Sequence, residues 1–71
     1  QAALGAGGVS AVAEALREAA DRLAAASDTA RLDAELLMAR ALGASRSEML
    51  LRNMRDSAPE AFAGLVERRA T

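Results

Sequence analysis

The sequence predicts an all-α fold, a small bundle of four short helices, or five, with the second helix at its centre. Three observations support this prediction. Apolar residues recur at helical spacings of three and four, Ser-x-x-Glu capping boxes occur at two places, and no stretch alternates apolar and polar residues as a strand does. The chain has 71 residues, which is enough for one domain at most.

The composition excludes several classes of function. The chain has no cysteine and no histidine, so it lacks a thiolate nucleophile, the commonest metal ligand and the commonest general base. Its formal net charge is -1, which gives no basic excess for binding a nucleic acid backbone. No apolar run is long enough to span a membrane and no signal peptide pattern is present, so we expect a cytoplasmic protein.

Residues 1–8 are rich in glycine and alanine and are predicted to be a flexible lead-in to a helical bundle over residues 9–71. Ser10 is placed to cap the first helix. One apolar stripe follows, and it is too short for a stable coiled coil, so packing inside a bundle is favoured. The stripe consists of Val9, Val12, Leu16, Ala19, Leu23 and Ala26.

The second helix is predicted to start at a cap formed by Ser27 or Asp28 and to end at Gly43, a residue suited to a left-handed cap. Its apolar residues fall on two nearly opposite sides, both of which we expect to be buried. One side holds Ala30, Ala34, Leu37, Met38 and Ala41, and the other holds Leu32, Leu36 and Ala39. The charges lie between these sides, Arg31 with Glu35 and Asp33 with Arg40.

Two capping boxes predict the remaining helices. Ser45 to Glu48 opens a short third helix that runs to about Met54, supported by Glu48 four residues before Arg52. Ser57 to Glu60 opens a fourth helix, with a periodic apolar face and two arginines at its end. That face consists of Ala58, Ala61, Phe62, Leu65, Val66 and Arg69.

No catalytic, cofactor-binding or metal-binding residue is predicted. Asp33 and Glu35 are two apart on a helix and point in different directions, so Asp33 is interpreted as a partner for a hydroxyl, amide or arginine of a neighbouring helix. Arginine is enriched at protein interfaces, and five arginines are the candidates for contacting a partner. They are Arg46, Arg52, Arg55, Arg68 and Arg69.

The segment Ala30-Arg31-Leu32-Asp33-Ala34-Glu35-Leu36-Leu37-Met38-Ala39-Arg40-Ala41-Leu42-Gly43 resembles the leading domain of the HemK/PrmC family of protein-glutamine N5-methyltransferases. The resemblance extends back over residues 12–26 and forward through residues 45–51 to the arginine pair Arg68-Arg69. It covers about residues 9–71. The Gly-Glu-Pro hairpin and the Asn-Pro-Pro-Tyr motif that follow in the family do not occur in this chain.

The resemblance implies an N-terminal substrate-docking domain. The parent enzyme would bind S-adenosylmethionine in a downstream catalytic domain and methylate the glutamine of the Gly-Gly-Gln motif in peptide chain release factors, a step linked to translation termination. This segment alone would be non-catalytic, with the release factor and the catalytic domain as its partners.

Two other functions fit the residues. A freestanding helical protein–protein interaction module is consistent with the absence of any catalytic constellation. A DNA-binding helix-turn-helix is the third reading, because Gly43 separates two helices and the second of them would offer arginines to DNA. Those residues would be Arg46, Arg52, Asn53 and Arg55.

Overall fold

A computed structural model describes residues 11–71 as a helical bundle. The elements are α1 (Val12–Leu23), α2 (Ala30–Leu42), a short α3 (Arg46–Glu48) that continues as a π-helical segment (Met49–Asn53), and α4 (Ala61–Ala70). Within these residues there is no strand, and the β pairing consists of one isolated antiparallel bridge between Ala11 and Ser57. The predicted all-α fold is confirmed. The predicted lead-in over residues 1–8, Val9 and the Ser10 cap lie outside the described residues.

Helix α1 packs its apolar stripe into the core. Val12, Leu16 and Leu23 are fully buried, and Ala19 is nearly so. The stripe was expected to reach Ala26, but α1 ends at Leu23, and Ala26 is exposed in the turn that follows. The helix therefore contributes a little over three turns of buried side chains.

The first turn of α1 is tied to a distant part of the chain. The backbone N–H of Val12 donates to the carbonyl of Asp56 at 2.8 Å, and that of Ala13 donates to the carbonyl of Met54 at 3.0 Å. The N–H groups of a first helical turn have no partner inside the helix. The loop after the π segment supplies those partners and fixes where α1 begins.

Helix α2 contacts α1, α3, the π segment and α4, so its predicted central position is confirmed. It ends as predicted at Gly43, whose φ is 70°. The N–H of Ala44 donates to the carbonyl of Ala39 at 3.0 Å, and that of Gly43 donates to the carbonyl of Arg40 at 3.2 Å. This double closure is a Schellman motif, which requires a left-handed residue and therefore favours glycine.

The predicted start of α2 is wrong. Thr29 occupies the cap position, and its side chain makes no capping hydrogen bond, whereas Ser27 and Asp28 lie in the preceding turn. Ser27 instead organises that turn, since its Oγ accepts the N–H of Thr29 at 3.1 Å and donates to Asp33.

The expectation that both apolar sides of α2 are buried is also wrong. Ala34 and Met38 are fully buried on the core side, but Leu32 is 42% exposed and Leu36 is 51% exposed on the other. Ala39 is the buried member of that second side. The α3 and π segments, eight residues in all, contact α2 but leave Leu32 and Leu36 exposed.

Helix α3 begins as its capping box predicts. Ser45 Oγ accepts the N–H of Glu48 at 3.1 Å. From Met49 the chain widens into the π segment, with Met49 fully buried and Leu51 83% exposed. Among the described residues, Glu48 forms no ion pair with Arg52.

The second capping box does not form. Ser57 lies four residues before the start of α4, no side chain caps that helix, and the backbone of Ser57 pairs with Ala11 instead. The helix begins at Ala61 with Glu60 at the cap position, and the N–H of Phe62 donates to the carbonyl of Pro59 at 3.1 Å. Phe62 and Val66 are buried on its inner face as predicted, with Ala58 packed partly against the core, while Ala61 is exposed.

The core is one cluster made by α1, α2, the π segment and α4. Its fully buried large side chains are Val12, Leu16, Leu23, Met38 and Met49. Leu37, Leu50 and Met54 pack against it and are partly buried. No helix within residues 11–71 is long and apolar enough to cross a membrane.

Candidate interaction surface

One glutamate is buried on α2 and holds two arginines. Glu35 is 6% exposed; its Oε2 accepts from Arg31 Nε at 2.8 Å and its Oε1 accepts from Arg46 Nε at 2.7 Å. Burial alone would raise the pKa of Glu35, but the hydrogen bonds and charges of the two arginines outweigh it, so its pKa lies below the usual value. The Arg31–Glu35 pair follows the predicted four-residue spacing. The Arg46–Glu35 pair links α2 to α3.

Asp33 forms a second polar cluster, where the start of α2 meets the end of α4. Its carboxylate accepts from Ser27 Oγ at 2.6 Å, from Thr29 Oγ1 at 3.2 Å and from Arg69 Nη2 at 3.1 Å. The hydrogen bond from Ser27 is the main cause of a lowered Asp33 pKa, to which Thr29 and Arg69 add. The prediction that Asp33 binds hydroxyls or an arginine of a neighbouring helix is confirmed. Arg40 takes no part in this cluster.

A third ion pair joins the surfaces of α1 and α4. Arg22 Nη2 donates to Glu67 Oε1 at 2.8 Å, and Arg22 Nε donates to Glu67 Oε2 at 3.1 Å. This fork-shaped contact lowers the pKa of Glu67 and raises that of Arg22. Both side chains are more than half exposed, so the pair aligns two helices rather than forming part of the core.

The five arginines predicted to contact a partner are not gathered into one patch. Arg46 and Arg69 are bound to Glu35 and Asp33, although each keeps nearly half of its side chain exposed. Arg52, Arg55 and Arg68 are exposed and pair with no carboxylate of residues 11–71. They lie on the π segment, in the loop after it and in the last turn of α4.

The exposed leucines are a feature that sequence reasoning did not foresee. Leu32, Leu36 and Arg40 follow one another at four-residue steps on the outward side of α2, and we refer to these three residues as the α2 ridge. Leu51 stands apart on the π segment. In the sequence the two leucines of the ridge belong to a second apolar side of the helix, which periodicity alone predicts to be buried.

Residues 11–71 show neither a cluster of metal ligands nor a helix suited to DNA recognition. Within residues 11–71 no group of three or more acidic, histidine or cysteine side chains is arranged to hold a metal ion. A helix-turn-helix would need α3 as a recognition helix, yet only three of its residues are α-helical before the π segment. Arg46 is bound to Glu35, and Asn53 Nδ2 donates to Asp56 at 2.8 Å.

Comparison with known families identifies a match over most of the chain. A family model described as "PrmC N-terminal domain" matches residues 14–71, which is well over half of the chain. No curated protein and no solved structure matches at a significant level. The matched region includes all of α2, α3, the π segment and α4, and all of α1 except its first two residues.

Proposed function

The chain belongs to the PrmC N-terminal domain family, and from this membership we propose that it is the substrate-recognition domain of an S-adenosylmethionine-dependent methyltransferase. In this proposal the enzyme methylates the glutamine of the Gly-Gly-Gln motif in class I peptide chain release factors in the cytoplasm. The observation that carries the proposal is the family match over residues 14–71.

The make-up of the domain agrees with a binding role. It contributes no histidine or cysteine, and its buried glutamate is bound by two arginines rather than held free for proton transfer. The proposal therefore assigns S-adenosylmethionine binding and methyl transfer to a catalytic domain outside residues 1–71. The role left to the helical domain is to hold the release factor while its glutamine enters the catalytic site.

The surface of the domain supports binding to a protein rather than to DNA. It carries exposed arginines, a residue type that is enriched in protein interfaces, beside the exposed Leu32 and Leu36. All nine basic residues of the chain are arginine, and the net charge of -1 gives no general attraction to a phosphate backbone.

Direct binding tests this proposal. A purified class I release factor is titrated into the 71-residue chain by isothermal titration calorimetry, with a duplex DNA titration at low salt as the comparison. We expect saturable binding of the release factor with one chain per release factor and no binding of the duplex. Binding of DNA without binding of the release factor would overturn the proposal.

The coding sequence provides a second test of the proposal. We expect the reading frame to continue beyond Thr71 into a methyltransferase domain with a glycine-rich loop for the methyl donor and an Asn-Pro-Pro-Tyr tetrapeptide. A continuation that lacks both features would remove the catalytic half of the proposal, even if the release factor binds.

A further inference from the structure

The α2 ridge leaves an apolar strip in contact with water. Leu32 and Leu36 are 42% and 51% exposed, and they point away from the core side of the helix that carries Met38. Within residues 11–71 no helix covers them. Covering two neighbouring exposed leucines on a helix removes apolar area from water, so the strip favours contact with a partner.

The charges beside this strip are positive and held in place. Arg31 and Arg46 each use Nε to bind the buried Glu35, and their Nη groups make no hydrogen bond within residues 11–71. Each guanidinium group therefore presents free donors from a fixed position. An arginine that is already ordered loses less side-chain freedom when its Nη groups bind a carboxylate.

The charged groups around this strip indicate which chemical groups a partner would carry. Three arginines border the strip, Arg31 and Arg46 on one side and Arg40 at its end, and Glu35 supplies one negative charge among them. Asp33, on the side of Arg40, is neutralised by Arg69. Asp28 and Glu48 are exposed nearby, in the turn before α2 and on α3, and form no ion pair within residues 11–71. Both oxygens of Glu35 are used by arginine Nε groups, so the groups left free next to the leucines are the Nη donors of Arg31 and Arg46, which favour a partner with carboxylates at the matching positions.

A second copy of the chain does not fit this surface. A two-fold dimer with antiparallel α2 helices would bring the side that carries Arg31 and Arg46 against the same side of the second copy. The shape of the strip also suggests what does fit. Two leucines four residues apart form a ridge along a helix, and a ridge of this kind packs into the groove between side-chain rows of another helix.

We propose that the α2 ridge, with the Nη groups of Arg31 and Arg46, is the docking site for an amphipathic helix whose apolar face is bordered by aspartate or glutamate. The inference rests on the proposed function, in which the protein that carries this helix is the release factor. Leu32 and Leu36 supply the apolar contact, and the three arginines set the orientation through paired hydrogen bonds to carboxylates.

The test compares variants of the 71-residue chain in calorimetric titrations with a purified class I release factor. Leu36→Glu places a carboxylate on the ridge, and Leu51→Glu makes the same change at a leucine that is 83% exposed and off the ridge. We expect Leu36→Glu to weaken binding at least about tenfold and Leu51→Glu to weaken it no more than about twofold. Far-ultraviolet circular dichroism of both variants shows that they remain folded.

A second pair of variants tests the charges. Arg40→Gln removes the charge at the end of the ridge, and Arg17→Gln removes an exposed arginine of α1. Because rim charges act mainly through salt-dependent attraction, we expect Arg40→Gln to reduce the salt dependence of the dissociation constant. Arg17→Gln is expected to leave that dependence close to the wild-type value.

The outcomes separate this inference from the proposed function. If the wild-type chain does not bind the release factor, the proposed function fails and this inference fails with it. If the wild-type chain binds and Leu36→Glu binds equally well, the docking site is wrong while the proposed function stands. If the chain dimerises in light scattering and Leu36→Glu makes it monomeric, the ridge is a contact between copies and the inference is overturned.

Discussion

The side of α2 that faces the core is the feature most open to a quantitative test. Met38 and Leu36 are two residues apart on this helix, yet Met38 is fully buried and Leu36 is 51% exposed. Met38→Ala removes three heavy atoms from a packed cluster and leaves a cavity, which costs about 2 to 5 kcal/mol. Leu36→Ala removes a side chain that is half in water and gains slightly in helix propensity, so its cost is at most about 1 kcal/mol.

The loss expected for Met38→Ala is large compared with the free energy of unfolding of the domain. A domain of this length has a free energy of unfolding of roughly 4 to 10 kcal/mol, so Met38→Ala removes a large share of it. Urea denaturation followed by far-ultraviolet circular dichroism measures the difference between the two variants. Met38→Leu keeps most of the buried volume and serves as the control, with an expected cost below about 1.5 kcal/mol.

The result that would refute this reasoning is an equal loss for the two alanine variants. Equal losses would mean that both apolar sides of α2 are buried, as the periodicity of its sequence suggests. A cost above about 2 kcal/mol for Leu36→Ala would have the same meaning and would also remove the α2 ridge as an accessible surface.

Three further predictions follow from the polar contacts and the glycines. Carboxylates with a lowered folded pKa stabilise the fold fully above their unfolded pKa of about 4, and this stabilisation is lost as the pH falls through the folded pKa. Denaturation at a series of acidic pH values should therefore show falling stability, and the carboxylates concerned are Asp33, Glu35 and Glu67. Gly43→Ala should lose about 1 to 2 kcal/mol in urea denaturation, because its φ of 70° strains any side chain, whereas Gly64→Ala, inside α4 with open space around it, should gain about 0.5 to 1 kcal/mol. Ser45→Ala should cost about 0.5 to 2 kcal/mol by the same measurement, since it removes the cap of α3.

Each of these predictions has its own contradicting result. A constant free energy of unfolding from neutral to acidic pH would show that the three carboxylates are not bound in the fold. Equal effects of the two glycine substitutions would argue against the left-handed end of α2. Ser47→Ala is the control for the cap, and a loss as large as that of Ser45→Ala would indicate a general effect on α3.

The parts of the fold that sequence predicts well are those decided by neighbouring residues. Gly43 ends α2 because the closing hydrogen bonds need a left-handed residue, and Ser45 caps α3 because Glu48 lies three residues further on. Arg31 and Glu35 pair because one helical turn brings them together. Each of these features depends on a stretch of at most five or six residues.

The parts that sequence did not predict depend on distant residues. Periodicity shows that Leu32 and Leu36 share a side of α2, but not that the other described helices leave this side uncovered. The pairing of Arg46 with Glu35, eleven residues apart, depends on the angle between α2 and α3. Ser57 does not cap α4, which begins four residues later, and its backbone pairs with Ala11, a contact with no local signal.

The candidate surface was likewise predicted from the sequence only in part. The sequence identified arginine as the residue type for partner contacts and singled out Arg46, which lies beside the α2 ridge. It did not indicate that Glu35 would be buried and would fix two guanidinium groups, because burial of a glutamate depends on which side chains close over it. The exposure of Leu32 and Leu36 likewise depends on how the helices pack.

We propose that this domain provides the methyltransferase's hold on the release factor, and steady-state kinetics of methyl transfer tests this proposal most directly. The full-length enzyme and a form lacking residues 11–71 are compared with an intact release factor and with a short peptide containing Gly-Gly-Gln, after calorimetry has shown equal S-adenosylmethionine binding. We expect the deletion to raise KM for the intact release factor and to leave the kinetics on the peptide nearly unchanged. An unchanged KM for the intact release factor would contradict the claim.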